Sequence, residues 1–129
     1  MLVAIDWVNV HDKVGFFIVV AALVGAVVAL VSLVTPLVGV VLKLYLRLLL
    51  LAVAVQIILG AGLYIGGHRA PQELHYLYGV GVAVTLGITF AVSRRTPWPV
   101  SKLPLVAGAI IATVFAVLAL VSGGGSASA

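Results

Sequence analysis

The chain has 129 residues, of which 64% are apolar and only 8% charged, with seven Lys/Arg against three Asp/Glu and no cysteine. A soluble domain carries roughly a quarter of its residues as charges, so a water-soluble globule, a disordered chain and a disulfide-stapled secreted scaffold are excluded. The net charge of +4 finds its use in orienting a membrane protein, and no nucleic-acid partner is expected.

Four apolar stretches follow one another: Val14–Val34, Leu42–Ile65, Leu74–Val92 and Leu103–Val121, each of 19 to 24 residues. About 20 residues of helix cross the hydrocarbon layer. A lipid-embedded backbone must satisfy its own N–H and C=O groups, so these segments are predicted helices. The first span has no basic segment on the correct side and no cleavage site, so it reads as a retained helix and not as a signal peptide. Thr35-Pro36 breaks the first two spans, with Pro36 suited to a first helical turn. Gly66-Gly67 ends the second span, and Pro71, Gln72 and Glu73 open the third. Val80, Val82, Val84, Thr85, Ile88 and Thr89 would favour a strand in water, but the length of the third span decides for helix. Arg94 to Pro99 closes it, Ser101 and Pro104 suit the start of the fourth, and Ser122–Ala129 reads as a flexible tail without chemistry. The fold class is therefore all-α membrane: residues 1–121 form a single four-helix up-down transmembrane bundle, because short connections make neighbours antiparallel.

Basic residues set the expected orientation. Lys43, Arg47, Arg94, Arg95 and Lys102 fall on one side, Lys13 and Arg69 on the other. The richer side belongs in the cytoplasm. Both termini and the Gly66–Leu74 turn are then extracytoplasmic, as expected for a prokaryotic plasma-membrane protein. Every acid (Asp6, Asp12, Glu73) and every histidine (His11, His68, His75) lies on that outer side. Trp7, Tyr64, Tyr76 and Tyr78 read as an outer aromatic belt, Tyr45 and Trp98 as an inner one.

The informative pattern is a repeat. His11-Asp12-Lys13-Val14-Gly15 opens the first span and His75-Tyr76-Leu77-Tyr78-Gly79 the third, both His-x-x-x-Gly. The first and third helices of an up-down bundle usually face each other across the core. Two imidazoles at equal depth there suit axial ligation of one haem iron. Gly15 and Gly79 lie one turn deeper on the same faces and would leave room for a flat macrocycle. The propionates need cations or water, for which Lys13, Arg69 and His68 are available, while Asp12 or a backbone carbonyl would fix an imidazole tautomer. The plainer alternative is that these histidines simply sit among the headgroups. Gln56, mid-span, should face the bundle interior, either as a helix–helix hydrogen bond or as a contact to a bound ring or quinone. Gly62-x-x-x-Gly66 reads as close helix packing, and Lys43 with Arg47 as a headgroup-facing pair.

The stretch Gln56-Ile57-Ile58-Leu59-Gly60-Ala61, then Pro71, then Leu74-His75, then Arg94-Arg95, resembles the haem A synthase family. In that family two four-helix halves each hold haem between histidines near the outer ends of helices. The resemblance implies that His75 is an axial ligand, with His11 as its partner. This chain has a single four-helix unit and lacks the outer-loop cysteine pair and the acid beside the first histidine. What carries over is the non-catalytic, haem-holding half, a layout shared by other b-type four-helix membrane cytochromes.

Two functions therefore compete. The first is a small haem b-binding subunit of a redox or respiratory complex, passing electrons between an outer donor and a quinone or a partner's cofactor. The second is a cofactor-free accessory subunit that stabilises a larger membrane complex. A weaker third is a copper or zinc site from His11, His68, His75 and an acid, whose spacing does not match an i, i+4 ligand pair. No nucleophile–base pair, phosphate loop or paired carboxylate points to bond chemistry. Expected partners are the lipid bilayer and other membrane or extracytoplasmic redox subunits; the sequence also leaves a homodimer open.

Overall fold

The computed structural model describes residues 4–35, 38–97 and 102–123. Four helices follow in order, α1 (Trp7–Val31), α2 (Val38–Ile65), α3 (Leu74–Arg95) and α4 (Lys102–Gly123). Each is long and apolar enough to cross a membrane, which suggests an integral membrane protein. Pro36, Trp98, Pro99, Ser101 and the tail beyond Gly123 lie outside the described residues.

Helix ends depart from the hydropathy limits for local reasons. α1 begins at Trp7, well before Val14, because the Asp6 carboxylate accepts the Asn9 N–H at 3.2 Å and caps the helix. Asn9, Asp12 and Lys13 ride on its exposed face, so they interrupt the apolar run without ending the helix. α2 likewise starts at Val38 rather than Leu42. α2 closes with the His68 N–H on the Leu63 carbonyl (2.9 Å) and the Gly67 N–H on the Tyr64 carbonyl (3.2 Å). This is a Schellman stop, and the positive φ of 90° at Gly67 is what requires glycine there. α3 ends on Arg94 and Arg95, whose charges suit the negative end of the helix dipole. α4 runs on through Ser122 and Gly123, so these two belong to the helix and not to the tail; the Ser122 hydroxyl donates to the Leu118 carbonyl at 2.7 Å.

α1 packs against α2 and α4, α3 packs most closely on α4 and more loosely on α2, and α1 and α3 stand on the diagonal. Neighbours are antiparallel. Tyr45 meets Gly25 where Gln56 meets Gly15, and Thr89 meets Gly108 where His75 meets Gly123. The starts of α1 and α3 and the ends of α2 and α4 therefore share one end of the bundle, with all three histidines and all three acids. Lys43, Arg47, Arg94, Arg95 and Lys102 lie toward the other end.

The core is a seam of small residues among a few large ones. Ala22, Ala29, Ala109, Ala112 and Ala116 are buried alongside Leu42, Leu46, Leu86 and Leu105. Lipid tails are as apolar as leucine, so helices in a bilayer associate through close packing and hydrogen bonds, and small residues permit both. Thr113 uses that proximity: its hydroxyl lies 2.9 Å from the Ala22 carbonyl across the α1–α4 interface and 2.8 Å from Ala109 on its own helix. Thr89 sits directly against Gly108, where any Cβ would overlap it. Large apolar side chains such as Val27, Leu51 and Ile58 point outward.

Two expectations about single residues are corrected. Tyr45 does not stand in an aromatic belt: its ring packs on Gly25 and its hydroxyl donates to the Ala21 carbonyl at 2.6 Å. A phenol inside an apolar bundle satisfies its O–H on the nearest accessible backbone. Gly62 makes no helix–helix contact, since a Cβ there would meet nothing within 4 Å, and Gly66 meets atoms of its own chain turn.

The seam makes a direct test. Gly108→Ala should destabilise the bundle by about 1–3 kcal/mol through overpacking against Thr89, whereas Gly62→Ala should stay within about 0.5 kcal/mol of the parent. Unfolding in mixed micelles, titrated with dodecyl sulfate and followed by circular dichroism, measures both.

Candidate functional site

The two His-x-x-x-Gly segments meet. Each histidine lies in the opening turns of its helix, and the up-down topology brings those turns to the same end on diagonal corners. The His11 and His75 ring centres are 5.9 Å apart with their planes at 76°. Both side chains are partly buried.

His75 is held from α4. Its Nδ1 lies 2.8 Å from the Ala119 carbonyl, and a carbonyl only accepts, so Nδ1 carries the hydrogen and Nε2 of the neutral ring presents a lone pair. Metal-ligating histidines are oriented in this way. The approach is possible because residue 123 is glycine, where a Cβ would collide with the imidazole. Sequence reading missed Ala119, whose contribution is a backbone atom, and Gly123, which it placed in the tail. Of the two acceptors expected for an imidazole N–H, Asp12 or a backbone carbonyl, it is a carbonyl, that of Ala119, that meets His75.

His11 is held from α2. The Gln56 amide nitrogen donates to the His11 carbonyl at 2.7 Å and lies 3.4 Å from the ring Nε2. Gly60, one turn along α2, receives the ring edge, with a Cβ there falling 3.1 Å from His11 Cε1. The i, i+4 spacing of Gln56 and Gly60 puts a donor and a gap on one face, a signal that could have named Gly60 as part of the site. Gly15 also gains a different role from the one expected. The space beside it holds the Gln56 amide, 2.9 Å from where a Cβ would stand, and not an open slot. Gly79 does border open space, with nothing within 4 Å of a Cβ. Two atoms of the cluster, His11 Nδ1 and Gln56 Oε1, are buried without a hydrogen-bond partner, which is uncommon for buried polar atoms.

A line of aromatic contacts ties the α2–α3 turn to this pair. The Arg69 guanidinium sits 3.4 Å over the Tyr64 ring. Tyr64 meets Tyr76 edge-on at 5.3 Å, and Tyr76 meets His75 at 5.7 Å. The Ala70 N–H donates to the Tyr76 hydroxyl at 2.9 Å. Tyr78 lies apart, 6.4 Å from Phe115. Lys13 and His68 are exposed at the same end, and His68 stands with Trp7 at a groove between α1 and α2 and not with the other histidines.

The donor set limits the chemistry. Among the described residues no three His, Asp or Glu side chains converge on one point, so the three or four protein ligands of a zinc site are not brought together there. A porphyrin brings four nitrogens and asks the protein for two. Imidazoles on opposite sides of one metal hold their coordinating nitrogens about 4 Å apart and their ring centres about 6 Å apart, close to the separation of His11 and His75. A Cβ at Gly79 would meet nothing within 4 Å, whereas the Gln56 amide fills the space beside Gly15.

The Gln56–Gly15 contact predicts a coupled pair. Gly15→Ala should cost stability by displacing the amide, and the same change made in a Gln56→Ala background should cost nearly nothing, a coupling of about 0.5–3 kcal/mol in a double-mutant cycle. No protein-family model, curated protein or solved structure matches this chain.

Proposed function

We propose that the protein is a small b-type cytochrome subunit, holding one haem between His11 and His75 near the extracytoplasmic face and serving electron transfer in a membrane redox complex. The observation that carries this reading is the convergence of two imidazoles from diagonal helices, 5.9 Å apart, with one of them already oriented by a backbone carbonyl. When bound, the haem supplies a one-electron couple within the bundle. The chain's own residues do the rest. The Ala119 carbonyl, accepting the Nδ1 hydrogen, fixes the His75 tautomer and would strengthen Nε2 as a ligand to the metal. Gln56 anchors the α1 turn that carries His11. Lys13 and Arg69 stand at the same end as cations for acidic side groups, which need such partners at the edge of a low-dielectric layer. The five basic residues of the opposite end support a cytoplasmic position for that end, with both termini outside. With no histidine at the basic end, electrons cannot cross the bilayer through this chain alone, so a donor and an acceptor both meet it at the histidine end.

The second reading, a cofactor-free accessory subunit, draws on the filled space between Gly15 and Gln56. Visible spectroscopy separates the two. Haem titrated into the purified protein should give sharp α and β bands on reduction. His11→Ala and His75→Ala should each weaken haem binding by about a hundredfold or more, because losing a ligand costs more than the roughly 10- to 100-fold lost with a residue that only orients one, while His68→Ala should leave it unchanged. A featureless spectrum, or identical binding by all three variants, would remove the cytochrome reading and leave the accessory one.

A further inference from the structure

At the histidine end, α1 and α2 diverge around a groove of about 510 Å³. Its walls are mostly apolar, including Ile5, Trp7, Ile58, Leu59 and Leu63, and Gly62 lines it with free space where a side chain would stand. Two groups that exchange protons, Asp6 and His68, stand in the lining. Trp7 is 52% exposed and Ile58 70% exposed, so the groove opens sideways into the surface that lipid would cover. It also adjoins the turn of α1 that carries His11. Trp7 and Val8 lie one turn before His11 on α1, and Leu59 and Leu63 flank Gly60, the residue against which the His11 ring packs.

We infer that this groove binds the headgroup of a membrane quinone. Ligand pockets of a few hundred Å³ are mainly apolar with a few polar groups that fix orientation, and a quinone asks for that combination. Its isoprenoid tail needs a lateral opening to lipid, its ring a flat aromatic or apolar wall, and its two oxygens hydrogen-bonding groups at the polar end. A phospholipid tail would use the walls but would have no use for Asp6 and His68 together. The inference rests on the electron-transfer reading above, because adjacency to His11 is what favours a redox-active occupant over an ordinary lipid.

The test reads binding without haem, so the two ideas can fail separately. The chain has two tryptophans; in a Trp98→Phe background Trp7 is the single fluorophore, and quinones quench indole emission on contact. Short-chain benzoquinone and naphthoquinone, titrated into the apo-protein in micelles, should quench Trp7 saturably. Gly62→Phe, which fills the groove from a position with free space, should weaken that quenching by about tenfold or more. Asp6→Asn, which keeps the helix cap, combined with His68→Ala, should weaken it without changing the circular dichroism. Quenching that rises linearly without saturation, or that Gly62→Phe leaves intact, overturns the assignment. So does displacement of the quinone by an alkylbenzene of equal tail length at equal concentration, which would mark the groove as a lipid-tail site. Saturable quenching in a protein that takes up no haem would keep the groove and remove the cytochrome.

Discussion

Glycine opposite a polar or aromatic side chain is the contact on which this bundle depends. Gly15 receives the Gln56 amide, Gly25 the Tyr45 ring, Gly60 the His11 ring, Gly108 the Thr89 side chain and Gly123 the His75 ring. In each case the glycine is on the neighbouring helix, and a single added carbon would enter the space the side chain uses. Water cannot help to satisfy a donor inside a bilayer, so a hydroxyl, amide or imidazole must reach a carbonyl on its own or the next helix. Tyr45 reaches Ala21, Gln56 reaches His11 and His75 reaches Ala119. The facing glycine lets each side chain lie close enough to do so.

This pairing explains why the site lies at one end. Toward the basic end the gaps are filled by Tyr45 and Thr89, whose donors are spent on backbone carbonyls. At the histidine end they are filled by groups with capacity left over. His75 spends one nitrogen on Ala119, Gln56 spends its nitrogen on His11, and His11 Nδ1 and Gln56 Oε1 remain unspent. The α2–α3 turn adds rigidity through Arg69, Tyr64 and Tyr76. The result is a polar cluster at one end of an otherwise apolar body.

Much of this was legible in the amino-acid sequence. Span count, the Gly66-Gly67 stop and the antiparallel order follow from apolar length, glycine chemistry and short connections, and the repeated His-x-x-x-Gly singled out the two histidines that meet. The misses share a cause. Gly15 and Gly62 were read from spacing along one helix, but what a glycine does is decided by the side chain on the facing helix. Tyr45 looks like an interfacial residue by position, and only the carbonyl of Ala21 reveals that it turns inward. The start of α1 was hidden because Asn9, Asp12 and Lys13 lower hydropathy while the Asp6 cap keeps the turn helical. Ala119 carries no side-chain signal at all, since its part is played by a backbone oxygen.

The polar cluster is also hard to explain as packing alone. Buried polar atoms without partners cost stability, and in a chain that is 64% apolar a Leu at positions 11 and 56 would fill a similar volume without that cost. Sequences that break a local rule without an evident structural return tend to do so at functional sites. The proposed haem, whose metal already carries most of its donors, would ask the chain for two imidazoles and nothing further. The pair, the cations Lys13 and Arg69 and the groove beside Trp7 all lie at the histidine end, within a few helical turns of one another.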